Sequence, residues 1–224
     1  MFVFRLTASV LANALIFAVP LFAIAGTLAW WRAWVIVALT IIGSVWAVSS
    51  LPRDLLEERL KPPMQEGQPA LDRLLLVLLL VSYFGLLVLI PLDVFHWHII
   101  SKPSQIVSSF GLGLFIVGWW IAYLALRENA FAAPVVKLQE DRHQSVIASG
   151  VYSVVRHPMY AGGLLLMIGL PLWLESYVGG MFALAPIATL AARIGLEERI
   201  LKRGLSGYED YTLRVRYRLV PFLW

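Results

Sequence analysis

Long apolar runs alternate with short polar connections along most of this chain. Each run is close to the ~20 residues that an α-helix needs to cross the ~30 Å hydrocarbon core of a bilayer. A membrane β-barrel would instead show segments of about ten residues with alternating polarity. The pattern predicts an all-α, polytopic transmembrane bundle of about six helices, the last two forming a short hairpin. The predicted spans are residues 6–28, 34–51, 71–92, 108–126, 159–174 and 179–196.

The composition supports an integral membrane protein. Hydrophobic residues make up 60% of the 224 residues, charged residues make up 14%, and the mean hydropathy is +0.78. A soluble core of this size would not require so much apolar surface. The chain has no cysteine, which excludes disulfides, iron–sulfur clusters and thiol chemistry on the protein. Its four histidines do not stand at metal-ligand spacings, so no metal site is predicted.

Basic residues are distributed unevenly between the predicted connections. All 18 Lys and Arg except Arg32 and Lys102 fall at the N-terminus, in the second and fourth connections, or from residue 193 onward. Because basic residues concentrate on the cytoplasmic side, both termini are predicted to be cytoplasmic. This orientation, with attraction to anionic lipid, accounts for the net charge of +4. The lipid bilayer is therefore the expected partner, and neither a nucleic acid nor an obligate protein partner is predicted.

The distribution of polar residues divides the chain near residue 127. Residues 1–126 are predicted to be a four-span scaffold with a proline-punctuated cytoplasmic segment at 52–70, and residues 127–224 are predicted to carry the chemistry. Several charged residues of the cytoplasmic segment are expected to form a solvated interfacial helix. They are Asp54, Glu57, Glu58, Arg59 and Lys61.

Arg156, His157 and Pro158 mark the start of the fifth span. Proline is favoured in the first turn of a helix, whose free N–H groups would then point toward the membrane surface. With Arg156 and His157 beside it and Tyr160 one turn along, this end could hold a carboxylate or a phosphate. Gly162 permits close approach of a second backbone or of a flat ligand. A basic cap that binds lipid headgroups explains the same residues equally well.

Glu197 and Glu198 favour a ligand site over a lipid-binding cap. The hairpin should bring them alongside the start of the fifth span. Because adjacent helical residues point about 100° apart, one glutamate is expected to face the Arg156 region. The other is expected to face solvent or to pair with Arg193 or Lys202. A helix mouth for a carboxylate and a glutamate for an ammonium suit the amino-acid end of S-adenosylmethionine.

Residues 207–221 alternate aromatic and basic residues. This pattern predicts an amphipathic interfacial helix at the C-terminus that ends at Pro221. Tyr208 and Tyr211 are also candidates for closing over a cofactor.

The region 127–224 resembles the isoprenylcysteine carboxyl methyltransferase family and its phospholipid methyltransferase relatives. The ordered combination of motifs carries the resemblance, whereas Arg-His-Pro alone is common. The motifs are Asn129 and Phe131, the block Gly150-x-Tyr152-x-x-x-Arg156-His157-Pro158-x-Tyr160-x-Gly162, Glu197-Glu198, Tyr208-x-x-Tyr211 and Arg218-Leu219-x-Pro221. Val151 stands where the family usually has proline.

The resemblance implies a methyltransferase that binds S-adenosylmethionine and takes a lipophilic acceptor from the membrane. Arg156, Glu197 and Asn129 are the candidates for orienting or activating the acceptor. The residues implied in cofactor binding are Gly150, Tyr152, Arg156, His157, Pro158, Tyr160, Gly162, Glu198, Tyr208 and Tyr211.

Alternatives remain open at this stage. A prenylcysteine carboxylate, a lipid amine and a small thiol all suit a site that opens to the bilayer. An NADPH-dependent membrane reductase of the sterol reductase type would also resemble the C-terminal region, although such enzymes are longer. A non-catalytic scaffold or a transporter predicts polar residues at mid-membrane depth, and the apolar runs carry almost none.

Overall fold

The computed structural model describes residues 2–224 and is all-helical over that range, as the apolar pattern predicts. A π-helical turn at Asp93–Trp97 directly follows the helix that ends at Leu92. Two 3₁₀-helical turns, at Glu140–Arg142 and Gly150–Ser153, lie in the connection between residues 128 and 158. The α-helices are α1 (Phe2–Ala25), α2 (Trp31–Ser50), α3 (Arg53–Arg59), α4 (Ala70–Leu92), α5 (Gln105–Glu128), α6 (Pro158–Trp173), α7 (Tyr177–Phe182), α8 (Leu184–Gly204) and α9 (Tyr208–Arg214).

Five helical segments are long and apolar enough to cross a membrane. Four of them are α1, α2, α4 and α5, and the fifth is formed by α7 and α8 together over Tyr177–Gly204. The 16 residues of α6 are apolar, but at 1.5 Å per residue they span only about 24 Å, less than a bilayer core of ~30 Å. The protein is therefore a polytopic membrane protein, and the sixth span stays a prediction.

Helices α5 and α6 pack along a seam of glycines. A Cβ atom added to Gly118 would lie 2.6 Å from the carbonyl oxygen of Gly162, and one added to Gly169 would lie 2.6 Å from that of Gly111. Small residues let two helix backbones approach closely where the surrounding lipid gives no hydrophobic drive for association. This seam fixes the start of α6 beside the end of α5.

The apolar core lies between α1, α2, α4 and α6, whereas many large apolar side chains face outward. Leu21, Ile36 and Leu86 are fully buried in this core. Val81 and Phe110, by contrast, are 65% and 63% exposed. Apolar side chains on the outer surface are what a helix bundle in hydrocarbon requires.

One end of the bundle is closed by what we call the Arg32 cluster, formed by Arg32, Gln105, Trp173 and Glu175. Arg32 donates hydrogen bonds to the Trp173 carbonyl (3.1 Å) and to Gln105 Oε1 (2.9 Å), and its Nη2 lies 3.1 Å from Glu175 Oε1. The Trp173 indole returns a 2.9 Å hydrogen bond to the Arg32 carbonyl. The guanidinium also lies 4.5 Å from the Trp173 ring centre. This arginine therefore uses its donors within the protein.

The C-terminal tail crosses the other end of the bundle and pairs with the start of α6. The Arg156 and His157 amides donate to the carbonyls of Tyr217 and Arg218, both at 2.9 Å. The helical part of the predicted 207–221 segment is shorter than expected and ends at Arg214. The remainder is irregular and ends in a turn, in which the Arg218 and Leu219 amides donate to the Trp224 carbonyl.

The segment 52–70 is less solvated than its charges suggest. Asp54 and Glu57 are exposed, as expected, but Glu58 is only 3% exposed. Its carboxylate pairs with Lys61 and lies 3.2 Å from Lys137 Nζ. Burial alone would raise the pKa of Glu58, but the two lysines outweigh it and hold that pKa below its usual value. The expectation of a fully solvated helix was wrong at Glu58, because a residue from the loop after α5 reaches it.

Candidate functional site

A cleft opens where the start of α6, the end of α8, the helix α9 and the loop after α5 meet. It encloses about 840 Å³ of space, including its open mouth. Among the predicted site residues, Asn129, Tyr152, Arg156, His157, Tyr160, Glu197, Tyr208 and Tyr211 line it. The fold thus brings most of the candidates to one place.

Glu198 is the hub of a buried ionic group that we call the Glu198 cluster. Its Oε1 accepts from Arg156 Nε at 2.6 Å and lies 3.3 Å from His157 Nε2. Its Oε2 accepts from Arg218 Nε at 2.9 Å. Glu198 is 4% exposed, so this pairing offsets a large cost of removing the carboxylate from water. Glu198 lies behind the cleft wall and positions residues that face the cleft.

Arg156 also holds the C-terminal tail in place. Its Nη1 donates to the carbonyl oxygens of Val215 (2.7 Å) and Arg216 (2.9 Å). With Nε on Glu198, only part of this guanidinium remains to meet a ligand in the cleft. The predicted role of Arg156 in orienting an acceptor therefore stays a prediction beside an observed structural one.

The first turn of α6 supplies a polar edge to the cleft. Pro158 occupies the first turn as predicted, and His157 stands at the N-cap position without a capping hydrogen bond from its side chain. The next residues, Met159 and Tyr160, both line the cleft, and amides in a first helical turn have no intrahelical acceptor. The His157 and Tyr160 rings stack with centres 5.6 Å apart and planes 10° apart. An anionic group would find free donors here.

Tyr152, Asn129 and Tyr211 are joined by hydrogen bonds at another side of the cleft. Asn129 Nδ2 donates to the Tyr152 hydroxyl at 3.2 Å, and the Tyr211 hydroxyl donates to the Tyr152 carbonyl at 2.7 Å. Burial raises the pKa of Tyr152 and raises that of Tyr211 to about 12. Both phenols are therefore neutral at ordinary pH, and the hydrogen bond from the Tyr211 hydroxyl to the Tyr152 carbonyl holds α9 beside the cleft.

Glu197 contributes an acceptor that the protein leaves unused. Its Oε2 is buried and has no hydrogen-bond partner among the described residues, and it lies 3.9 Å from His157 Nδ1. The side chain is 26% exposed and lines the cleft. Among the described residues Glu197 does not form the alternative ion pair with Arg193 or Lys202, and its exposed part faces the open cleft. Arg193 is held by Asp72 (2.8 Å), and both glutamates turn toward the site.

Besides Glu198, three predicted residues do not line the cleft, and these three act through the backbone. Gly150 has φ +54°, and a side chain there would collide with Glu128. Pro158 begins α6, and Gly162 lies in the seam against Gly118 of α5. Gly162 was expected to permit close approach of a second backbone or of a flat ligand, and the structure shows the second backbone.

The cleft also uses residues that the sequence motifs did not indicate. The loop after α5 forms one wall through Val135, Val136 and Lys137. Asp72, from the predicted scaffold, accepts a hydrogen bond from the Val136 amide at 3.1 Å. The sequence offered one indication of this contact. Asp72 lies at the edge of an apolar run, where an unpaired carboxylate is costly, so a partner for it was to be expected.

Comparisons with known proteins agree with this architecture. A sequence model described as phospholipid methyltransferase matches residues 106–206. Protein-S-isoprenylcysteine O-methyltransferase A of Arabidopsis thaliana is 30% identical over 153 residues, which are 67% of this chain and 73% of that protein. Protein-S-isoprenylcysteine O-methyltransferase B of the same plant is 28% identical with the same coverage.

A solved structure supports the fold. The eukaryotic intramembrane Ras methyltransferase ICMT (isoprenylcysteine carboxyl methyltransferase) superposes with a TM-score of 0.55 at 20% identity, covering 93% of this chain and 73% of that one. At 20% identity, this structural similarity is evidence for the fold alone. The sequence relationship and the helical membrane fold together lead to one conclusion: this chain belongs to the isoprenylcysteine carboxyl methyltransferase family of integral membrane methyltransferases.

Proposed function

We propose that the protein transfers a methyl group from S-adenosylmethionine to the carboxylate of a lipophilic, prenylcysteine-type acceptor. The observation that carries the proposal is the unpaired Glu197 Oε2 in a cleft that also holds the first turn of α6. An acceptor atom and a set of amide donors at one site match a zwitterion. The curated relatives named above are isoprenylcysteine O-methyltransferases, which supports the acceptor class.

The residues of the cleft fit S-adenosylmethionine. Glu197 would accept hydrogen bonds from the ligand ammonium, while Arg156 and the first turn of α6 would hold its carboxylate. Tyr152, Tyr208 and the nearby aliphatic residue Leu201 offer apolar surface for an adenosine. When bound, this cofactor supplies an electrophilic methyl group on a sulfonium centre. The protein contributes binding, alignment and exclusion of water.

Helix α9 is well placed to exclude water from the cleft. Tyr208 and Tyr211 are 5% and 2% exposed and pack with Val215 in a small apolar cluster. Burial raises the pKa of Tyr208, so its phenol stays neutral beside the acids of α8. A neutral aromatic lid leaves the negative charges of the site available to a cationic ligand.

A nearby cation favours an anionic acceptor. Arg59 Nη1 lies 3.8 Å from Sδ of Met159, a cleft residue, and Arg59 forms no ion pair among residues 2–224. The side chain is exposed. An arginine without an ion-pair partner is better matched by a carboxylate than by an ammonium. A carboxylate is already ionised at pH 7, so its methylation needs no general base.

We also propose the wider organisation that accompanies this function. Residues 127–224 would carry most of the catalytic region, residues 1–126 would form the scaffold, and the cleft and both termini would face the cytoplasm. The basic connections at the cleft end support this orientation.

Cofactor binding can be tested with S-adenosylhomocysteine and S-adenosylmethionine, by calorimetry on full-length protein in lipid nanodiscs. Glu197→Gln should weaken binding of both by about tenfold or more, since a charge-assisted hydrogen bond is lost. Glu209→Gln, the same change at an exposed position of α9, is the matched control and should bind within about twofold of the wild type. NADPH binding without binding of either adenosyl ligand would contradict the proposal and favour the reductase alternative.

The acceptor class can be tested with N-acetyl-S-farnesylcysteine and its carboxamide, alongside phosphatidylethanolamine. We expect methylation of the acid alone, with Arg59→Gln raising KM for it by about tenfold, because a cation–carboxylate contact is removed. Arg53→Gln changes an exposed arginine on the same helix that pairs with Glu57 and should leave KM unchanged. Methylation of the lipid amine, or no effect of Arg59→Gln, would refute the carboxylate assignment.

A further inference from the structure

Asp72 is a fully buried carboxylate in the first turn of α4. Its Oδ1 accepts from Arg193 Nε at 2.8 Å, and its Oδ2 accepts from Gln68 Nε2 at 2.7 Å and from the Val136 amide at 3.1 Å. These three donors belong to α8, to the connector before α4 and to the loop after α5. Such a carboxylate persists in a membrane protein only if its partners satisfy it, and a buried acid of this kind points to function.

The contacts of Asp72 hold one wall of the cleft. Arg193 Nη2 donates to the Pro134 carbonyl at 2.8 Å, while Asp72 binds the amide of Val136. The short stretch 134–136 is therefore held at both ends by one ion pair. Val135 and Val136 are buried and line the cleft. Release of this pair would free the wall.

The same ion pair decides what Arg193 can reach. Arg193 and Glu197 stand four residues apart on α8, a spacing at which a free arginine and a glutamate pair readily. In the structure Arg193 points to Asp72 instead, with its guanidinium 6.0 Å from the Tyr160 ring centre. Glu197 Oε2 has no hydrogen-bond partner among residues 2–224.

We propose that Asp72 is a positioning residue of the cleft. By binding Arg193 and holding the stretch 134–136 in the cleft wall, it keeps Glu197 free to receive a cationic group of the ligand. The inference rests on the proposed function for the identity of that ligand. It extends the site into the N-terminal half of the chain, which supplies Asp72 from α4.

The test compares Asp72→Asn with Asp93→Asn in full-length protein. Asp93 is a matched control, since it is 3% exposed and accepts a 2.7 Å hydrogen bond from Ser176, but it lies just after the other end of α4, about 30 Å away. Asp72→Asn should weaken S-adenosylhomocysteine binding about tenfold, through capture of Glu197 by Arg193, and should speed hydrogen exchange in residues 130–139. Asp93→Asn should lower the melting temperature without either change.

The double variant Asp72→Asn/Arg193→Met separates positioning from general loss of structure. Without Arg193 its guanidinium can no longer capture Glu197, so this variant should bind S-adenosylhomocysteine more tightly than Asp72→Asn does. A further loss of affinity, or equal binding and exchange in Asp72→Asn and wild type, would overturn the inference. If Asp72→Asn does not fold, the double variant must still show faster exchange at 130–139 than wild type, since unchanged exchange refutes the wall contact. Exchange is measured without ligand, so it decides on Asp72 even if the wild type binds neither adenosyl ligand and the proposed function fails.

Discussion

The two ends of the bundle both bury arginine, yet only one of them forms a cleft. In the Arg32 cluster, the guanidinium meets a carbonyl, an amide and a carboxylate, and an indole packs against it. In the Glu198 cluster, one carboxylate holds Arg156, His157 and Arg218 while its neighbour Glu197 keeps an unpaired oxygen. The difference shows that buried charge alone does not make a cleft. The cleft end differs in having a buried carboxylate oxygen without a hydrogen-bond partner beside open space.

The largest effect is expected from Glu198→Gln. The substitution leaves Arg156, His157 and Arg218 without their shared carboxylate, which costs about 3–5 kcal/mol of stability and releases the tail from α6. Activity and binding of S-adenosylhomocysteine should both be lost. Thermal unfolding and calorimetry would measure this. Glu175→Gln makes the matched change in the Arg32 cluster, and loss of binding there would break the distinction between the two ends.

A smaller and purely structural effect is expected from Arg32→Met. It removes the partner of Glu175, Gln105 and the Trp173 carbonyl, and should lower the free energy of unfolding by about 3 kcal/mol. Because the cluster lies at the end of the bundle away from the cleft, KM for S-adenosylmethionine should stay within about twofold of wild type in the protein that remains folded. A large rise in KM would show that the two ends are coupled.

The smallest effect concerns alkaline pH. Burial raises the pKa of Tyr211 from 10.0 to about 12. A folded-state pKa above the unfolded value gives stability that is complete below pH 10 and is lost as pH rises toward 12. Because the Tyr211 hydroxyl ties α9 to the Tyr152 carbonyl, the cleft end should loosen first.

The check on this pH effect is a titration of tyrosine absorbance together with unfolding measured between pH 9 and 12. Tyr211→Phe should reduce the protons released on unfolding by about one and flatten the loss of stability. An unchanged pH dependence in this variant would assign the effect to other tyrosines. Tyr152 and Tyr208, whose pKa values are also raised by burial, are the next to test.

The helices were more predictable than their contacts. The fifth apolar run was predicted to begin at Met159, and α6 begins at Pro158. The sixth was predicted to end at residue 196, but α8 continues to Gly204. Hydropathy falls where Arg193, Glu197 and Glu198 enter the sequence, so an apolar criterion stops there although the helix does not. These residues lie toward protein rather than lipid, and no local pattern reports that.

The candidate site was only partly accessible to sequence reasoning. Eight of the predicted residues line the cleft, and their individual roles in cofactor and acceptor binding stay predictions. The sequence did not predict that Glu198, rather than Glu197, pairs with Arg156, because either of two adjacent acids satisfies the same spacing. Nor did it predict the cleft wall formed by Val135, Val136 and Lys137, because that stretch carries no motif.

The sequence by itself determined the membrane class, the all-helical fold and the family motifs, because hydropathy and short-range spacing are local properties. Tertiary structure alone decided that Asp72 binds Arg193 across 121 residues, that Glu58 is buried, and that Glu197 keeps a free oxygen. Each of these depends on which side chains from distant parts of the sequence lie within hydrogen-bond distance of a buried charge. Packing determines those distances, and a charge removed from water is stable only where the fold supplies a partner.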